Sequence, residues 1–311
     1  MSEWTVEDMP DCSGKTAIVT GANSGLGFEA TKALSAKGAH VVMACRSLDR
    51  GEDAMAEIRT DVPDASLSVS ELDLADLDAV HRFADDFADQ YDALHVLCNN
   101  AGVMAIPRDE TEQGFETQFG VNHLGHFVLS ARLFPRLRET PGETRLVTVS
   151  SALHERGHMN FDDLHGERRY DEWEAYAQSK LANLLFAFEL DRRLTASGID
   201  DVVSVGAHPG YADTNLQFRG PEERGSTARL VVSKLANAVF AQSAANGALP
   251  LLYAATESSV ESGDYIGPQG VFEMRGYPGT TDAHERARDP KTAKRLWEVS
   301  EELTETQFRL A

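Results

Sequence analysis

Lys15-Thr16-Ala17-Ile18-Val19-Thr20-Gly21-Ala22-Asn23-Ser24-Gly25-Leu26-Gly27 is the stretch on which the reading of the chain turns. Its first six residues are a short apolar, β-prone run. Glycines then recur as Gly-x3-Gly-x-Gly, and Leu26, Ala30, Ala33 and Leu34 follow with helical period until Gly38 stops them. The order is strand, glycine turn, helix. Residues without Cβ let a backbone approach a pyrophosphate closely, and the amides of a helix N-terminus favour its charge. Gly21, Asn23, Ser24, Gly25, Leu26 and Gly27 are therefore candidate nucleotide-binding positions. An ordinary glycine turn is the competing reading, and the strand before and helix after weigh against it.

Moving outward, the same alternation continues. His40 to Cys45 reads as a buried strand closing on Arg46, with Arg50 one helical turn further. In a dinucleotide fold a carboxylate at this place accepts from a free ribose 2′-hydroxyl, whereas arginine suits a 2′-phosphate, so the sequence favours NADP over NAD. A solvated arginine pair flanking Asp49 and Glu52 is the alternative. Leu67 to Leu72 alternates as a strand and ends at Asp73-Leu74, followed by an amphipathic helix on Leu77, Val80, Phe83, Ala84 and Phe87. Leu94 to Cys98 is a fourth strand, broken by Asn99-Asn100-Ala101-Gly102. Phe119 to Leu137 is a long helix carrying Asn122, Leu146 to Val149 a strand ending in Ser150-Ser151, and Asp201 to Val205 a strand ending at His208-Pro209-Gly210. Tyr265 to Met274 reads as a last strand bent by Gly267, Pro268 and Gly270, and Lys291 to Leu303 as a closing helix. Strands alternating with helices imply an α/β fold: one Rossmann-type domain over 1–311, a doubly wound parallel sheet of about seven strands with helices on both faces. Within it, 211–260 would be a substrate-side loop and helices, with Tyr211 to Gly225 a flap or a plain surface loop.

Glu174-Ala175-Tyr176-Ala177-Gln178-Ser179-Lys180 is alanine-rich and free of proline, so it reads as helix, and Tyr176 and Lys180 share a face. An ammonium beside a phenol favours the phenolate and lowers its pKa toward the range of a general acid/base. The plain alternative is an aromatic on a core face and a lysine on a wet one.

Composition limits the partners. The 311 residues carry a net charge of −21, and only seven of the 29 basic residues are lysines. Phosphate backbones would be repelled, so a nucleic-acid surface is excluded. Acidic excess with scarce lysine is the surface expected of a protein working in high salt, where screening removes the self-repulsion. The three cysteines, Cys12, Cys45 and Cys98, form no disulfide or zinc pattern, which fits a reducing cytoplasm. Met1 to Asp11 lacks the layout of a secretion signal, and no apolar run is long enough for a membrane anchor. His154, His158, Asp162 and Asp163 could be imagined as metal ligands, but no metal is expected, and His123 and His126 read as packing or surface residues.

Together these residues resemble the short-chain dehydrogenase/reductase family over about residues 14 to 275, nearest the retinol dehydrogenase and WW-domain oxidoreductase branch. Thr20 to Gly27 is similar to its cofactor turn, Asn99 to Gly102 to its mid-sheet motif, and Asn122, Ser151, Tyr176 and Lys180 to its catalytic set. The resemblance implies that Tyr176 exchanges a proton with a substrate oxygen while the nicotinamide exchanges a hydride with the attached carbon. Lys180 would hold the ribose, Ser151 would bind the developing alkoxide, and Asn122 would steady Lys180. Ser150 competes with Ser151; the second position of such a pair is the usual one in the family. The resemblance further assigns Asp73 and Leu74 to the adenine, Asn99, Ala101 and Gly102 to the adenosine side, and Pro209, Gly210 and Thr214 to the nicotinamide end. Between Ser151 and Tyr176 lie 24 residues where many members have about a dozen, and a similar insert marks the retinol dehydrogenase branch. The implied activity interconverts a small-molecule alcohol and an aldehyde or ketone, with hydrophobic substrates common in that branch. The implied assembly is a dimer or tetramer through the long helices. A catalytically silent NADP-sensing regulator, and a double-bond reductase like protochlorophyllide reductase, are the competing functions.

Overall fold

A computed structural model describes residues 3–210, 243–270, 273 and 275–310. Eight strands form one sheet in the order β3-β2-β1-β4-β5-β6-β7-β8. They are β1 (Thr16–Thr20), β2 (His40–Cys45), β3 (Leu67–Glu71), β4 (Val96–Asn99), β5 (Thr144–Val149), β6 (Val202–Ala207), β7 (Tyr265–Pro268) and β8 (Pro278–Thr280). Every neighbouring pair is parallel except β7 and β8. The helices between them are α1 (Gly25–Ala36), α2 (Leu48–Asp61), α3 (Leu77–Gln90), α4 (Thr117–Phe119), α5 (Gly125–Glu139), α6 (Glu172–Ser197), α7 (Ala244–Thr256) and α8 (Pro290–Thr304).

The period of two along each strand builds two cores. Ile18, Val42, Ala44 and Leu97 point into the layer of α3, α5, α6 and α8, while Ala17, Val19, Val41, Met43 and Cys98 point into the layer of α1 and α7. Strands buried on both sides read as continuous apolar runs, which is why β1, β2 and β5 are plain in the sequence. The chain leaves β1 toward β2 on one side and pairs it with β4 on the other, so the direction of winding reverses there. A crevice opens at such a reversal, beyond the carboxyl ends of the strands.

One expectation is corrected. The last strand does not run from Tyr265 to Met274: it stops at Pro268, and the chain returns antiparallel as β8, with Ile266 opposite Thr280. Gly276, at φ +122°, takes part in the return. The sheet has eight strands, in keeping with the expected count of about seven. Of the segment 211–260 assigned to the substrate side, 211–242 lie outside the described residues. The part from 244 to 256 is a core helix, whose Ala248, Leu251, Leu252 and Ala255 pack with Ala30, Leu34 and Val203.

The C-terminal helix packs on α5 and α6, the long helices to which the resemblance assigns subunit contacts. Asp289 caps α8 by accepting from the amides of Lys291 and Thr292. The helix then delivers Trp297, and the following tail Phe308, onto Phe127, Phe134 and Phe186 of α5 and α6, with ring centroids 5.4–6.0 Å apart. Arg193 lies over Trp297 at 4.2 Å. His123 is a packing residue in this assembly, its Nε2 2.9 Å from Ser300 Oγ. Burial pushes its pKa down to about 3, so it is neutral.

Candidate active site

The turn after β1 is shaped for a close approach. Gly21 and Gly25 have φ of +67° and +55°, where a side chain would be strained. A Cβ on Gly27 would lie 2.3 Å from the Gly21 carbonyl oxygen and 2.7 Å from Asn100 Nδ2, so α1 can sit under the turn only with glycine there. Ser24 occupies the N-cap of α1 without its side chain closing on the helix, so its hydroxyl leaves the first-turn amides open.

Around this turn a cleft is lined by Gly21, Asn23, Ser24, Gly25 and Leu26, by Arg46, Ser47 and Arg50 from the end of β2, by Asp73, Leu74 and Ala75 from the end of β3, and by Asn100 to Val103 after β4. An uncapped helix end, a backbone cradle that any Cβ would fill, and two guanidinium groups at the far side fit a phosphorylated dinucleotide. Asp73 is tied down locally, its carboxylate accepting from the Ala75 amide at 2.9 Å.

Asn99 is placed differently from its expected role. Its side chain is buried against α5, where Nδ2 donates to Ser130 Oγ at 2.8 Å, and it does not line the cleft. Strand alternation puts Asn99 on the face of Leu97, toward α5. Asn100 takes the lining position and joins β4 to β1, its Nδ2 donating to Thr20 O at 2.7 Å. Ser47, Ala75, Val103, Thr117 and Val121 also line the cleft and carry no motif of their own.

Gly102 and Val103 connect the cleft to the second half of the site. A Cβ on Gly102 would lie 2.9 Å from Asn122 Oδ1 and 3.5 Å from Lys180 Nζ. Val103 bonds Asn122 in both directions, its amide donating to Oδ1 at 2.8 Å and its carbonyl accepting from Nδ2 at 2.9 Å. Asn122 lies on a π-helical turn, Gly120–Leu124, between α4 and α5. Its Nδ2 also reaches Ser179 Oγ at 2.9 Å, and Ser179 Oγ in turn donates to Tyr176 O. The buried amide is thereby satisfied and locks α6 against the strand ends.

Asp171 caps α6, accepting from the amides of Trp173 and Glu174, which starts the helix one turn before Tyr176. Tyr176 and Lys180 are both buried, and Nζ lies 5.8 Å from the phenol ring centre. Lys180 Nζ donates to Val149 O at 3.2 Å. Ser150 Oγ donates to the Lys180 carbonyl at 2.7 Å and is spent on holding the helix. The Ser151 hydroxyl lies close enough to the Tyr176 phenol to lower its pKa, and its Oγ accepts from the Leu153 amide at 3.2 Å. Pro209 and Gly210 follow β6, the neighbour of β5, and Gly210, at φ +66°, donates its amide to His208 Nδ1 at 3.3 Å. Thr214 lies outside the described residues.

The electrostatics differ from the sequence expectation in one respect. Burial pushes the Tyr176 phenol up to about 12, with the Ser151 hydrogen bond working against it, and pushes Lys180 down to about 8. Desolvation disfavours both charged forms and outweighs the attraction between them. At neutral pH Tyr176 is a protonated acid.

Comparison with known proteins agrees with this geometry. Residues 15–224 match the family model described as short chain dehydrogenase. Retinol dehydrogenase 12 of Mus musculus is 40% identical over 297 residues, 95% of this chain and 88% of that protein. A putative uncharacterized protein from Mycobacterium Paratuberculosis superposes with a TM-score of 0.81 at 40% identity, covering 99% of this chain and all of that one. A putative NAD(P) dependent gluconate 5-dehydrogenase from Beutenbergia cavernae, which has NADP bound at low occupancy, superposes with a TM-score of 0.63 at 25% identity, covering 81% of this chain and 94% of that one. Fold, strand-end constellation and sequence agree: the chain belongs to the short chain dehydrogenase family, on its retinol dehydrogenase-like branch, and is an oxidoreductase of alcohols and carbonyls.

Proposed function

We propose that the protein is an NADP-dependent reductase and dehydrogenase of hydrophobic aldehydes and alcohols, with Tyr176 as the general acid/base. The observation that carries this reading is the buried pair Tyr176 and Lys180 beside the half-buried Ser151, joined through Gly102, Val103 and Asn122 to the cleft. NADPH, when bound, supplies the hydride. Tyr176, protonated at neutral pH, donates a proton to the carbonyl oxygen in reduction and accepts one from the alcohol in oxidation. The Ser151 hydroxyl stabilises the charge developing on that oxygen, and Lys180 presents an ammonium toward the phenol and the nearby cofactor cleft. Retinol dehydrogenase 12 is named for a long apolar alcohol, and the 40% identity to it supports a hydrophobic substrate class.

Arg46 and Arg50 support the choice of cofactor, since both line the cleft where β2 ends. Replacing Arg46 by aspartate removes a charged hydrogen bond of about 1.5–3 kcal/mol and adds repulsion. Arg46→Asp is therefore expected to raise the KM for NADPH by about tenfold to a hundredfold while leaving that for NADH little changed. An unaltered NADPH/NADH ratio of kcat/KM would show that Arg46 is merely solvated.

The net charge of −21 supports operation in high salt. Melting temperature and turnover should both rise as KCl is added to dilute buffer. Full stability and activity without salt would remove that part of the reading. Mixing the protein with NADPH and a panel of long-chain aldehydes and ketones tests the function as a whole. Tight NADPH binding with no oxidation at any pH or salt would point instead to a regulator.

A further inference from the structure

The insert between Ser151 and Tyr176 begins with a 3-10 turn, Ala152–Arg156, and His154 on that turn is 2% exposed. Its Nδ1 lies 2.7 Å from the carbonyl oxygen of Ser151, and its Nε2 lies 3.1 Å from the backbone nitrogen of His284. A backbone N–H can only donate, so Nε2 is the bare nitrogen and the proton of the neutral ring is on Nδ1. Nδ1–H therefore donates to the Ser151 carbonyl, which also accepts from the His154 amide at 2.9 Å. Tyr265 of β7 closes one side of the ring edge-on, with its hydroxyl 3.4 Å from Nδ1. Both ring nitrogens are engaged, so His154 has none to offer a metal.

The anchor behind the ring is the segment leading into α8. His284 supplies the amide to Nε2, and Arg286 Nη1 donates to the carbonyls of Glu155, at 2.9 Å, and Gly157, at 3.4 Å. The C-terminal segment thus grips the turn that follows Ser151 at three points. Ser151 itself is extended, at φ −153° and ψ 153°, and its hydroxyl lies close enough to Tyr176 to lower the phenol's pKa. A hydroxyl stabilises developing charge only within a few tenths of an ångström of its working position, and its backbone sets that position.

We propose that His154 is a positioning residue: its imidazole, braced by residues 284–286, fixes the Ser151 peptide and so aims the Ser151 hydroxyl at the reacting oxygen. The inference rests on reading Ser151 as the group that binds the developing alkoxide. It gives the insert a task in the reaction, and it makes the segment before α8 part of the active-site frame.

The test is steady-state kinetics and NADPH binding on single and double variants. His154→Leu fills most of the ring's volume without a donor, and is expected to lower kcat about tenfold to a hundredfold with the NADPH Kd unchanged. His154→Asn puts an amide N–H where Nδ1–H stood and is expected to recover kcat to within about threefold of the starting protein. In a Ser151→Ala background the leucine change should alter kcat less than about twofold, because the path it acts through is already gone. An equal loss in both backgrounds, an asparagine variant as poor as the leucine one, or a leucine variant with full kcat would each overturn the proposal. Should His154→Leu fail to fold, His154→Asn compared with and without the Ser151→Ala change reads the same coupling: a loss of more than about tenfold in the protein that keeps Ser151 contradicts it, and near-full kcat there agrees with it. Wild-type turnover in Ser151→Ala alone would instead remove the serine assignment.

Discussion

Tyr176→Phe is expected to lower kcat for aldehyde reduction by about a thousandfold, with NADPH affinity changed less than about threefold. The phenol is buried, with the Ser151 hydroxyl close enough to lower its pKa. Phenylalanine keeps the ring and its packing on α6 and removes only the transferable proton. General acid/base catalysis contributes roughly two to four orders of magnitude. The loss falls at the upper part of this range because none of the side chains placed around Tyr176 replaces it: Ser151 is a far weaker acid and Lys180 is bonded to Val149 O. Because burial holds the phenol up near 12, the reductive rate should show no loss from Tyr176 ionisation between about pH 6 and 9. Stopped-flow single turnovers with excess enzyme separate this step from product release. A variant within about tenfold of the wild type would remove Tyr176 from its role.

Lys180→Met is expected to abolish most activity and to stabilise the fold. Lys180 is buried, and burial lowers its pKa from 10.5 to about 8. A group lowered in this way penalises the native state wherever it is protonated in both states. The penalty is fully present below about pH 8 and fades as pH rises toward the unfolded value near 10.5, since there the unfolded chain binds more protons. Methionine has similar length and no charge to desolvate. Its substitution orphans nothing, because the Val149 carbonyl still accepts from Asn183 Nδ2 at 2.9 Å. We expect a gain of about 1–3 kcal/mol at pH 7, shrinking at high pH. The same change removes the ammonium beside the phenol and the cleft, so kcat/KM should fall by about a hundredfold or more. Denaturant melts of both proteins at pH 7 and pH 10 check the first half. A variant less stable than wild type at pH 7 would mean that Lys180 is a structural cation.

Much of this was legible in the sequence, and for identifiable reasons. Strands β1, β2, β5 and β6 are buried on both faces, so they stand out as apolar runs, and the glycines of the cofactor turn are required by contacts such as that between Gly27 and Gly21. Tyr176, Lys180 and Asn122 stand out because helical spacing and motif order agree. What stayed hidden depends on neighbours distant in the chain. The protonation of Tyr176 follows from how completely the protein surrounds α6, and local spacing reports the attraction to Lys180 without the desolvation that outweighs it. The covering of α5 and α6 by Trp297 and Phe308 joins residues more than a hundred positions apart. His154 reads as one more histidine in a polar loop until Ser151 and His284 are seen on its two nitrogens. Asn99 and Asn100 are likewise told apart only by distant partners, Ser130 for the first and Thr20 for the second.

Everything turns on a phenol hydroxyl standing where the nicotinamide ring ends. A crystal structure of the protein with NADP+ and a long-chain alcohol tests this directly. The alcohol oxygen should lie within hydrogen-bond reach, about 2.6–3.2 Å, of both Tyr176 Oη and Ser151 Oγ, with its carbon against the nicotinamide. A dinucleotide lying outside the cleft after β1, or an alcohol oxygen held by other groups with Tyr176 turned away, would contradict it.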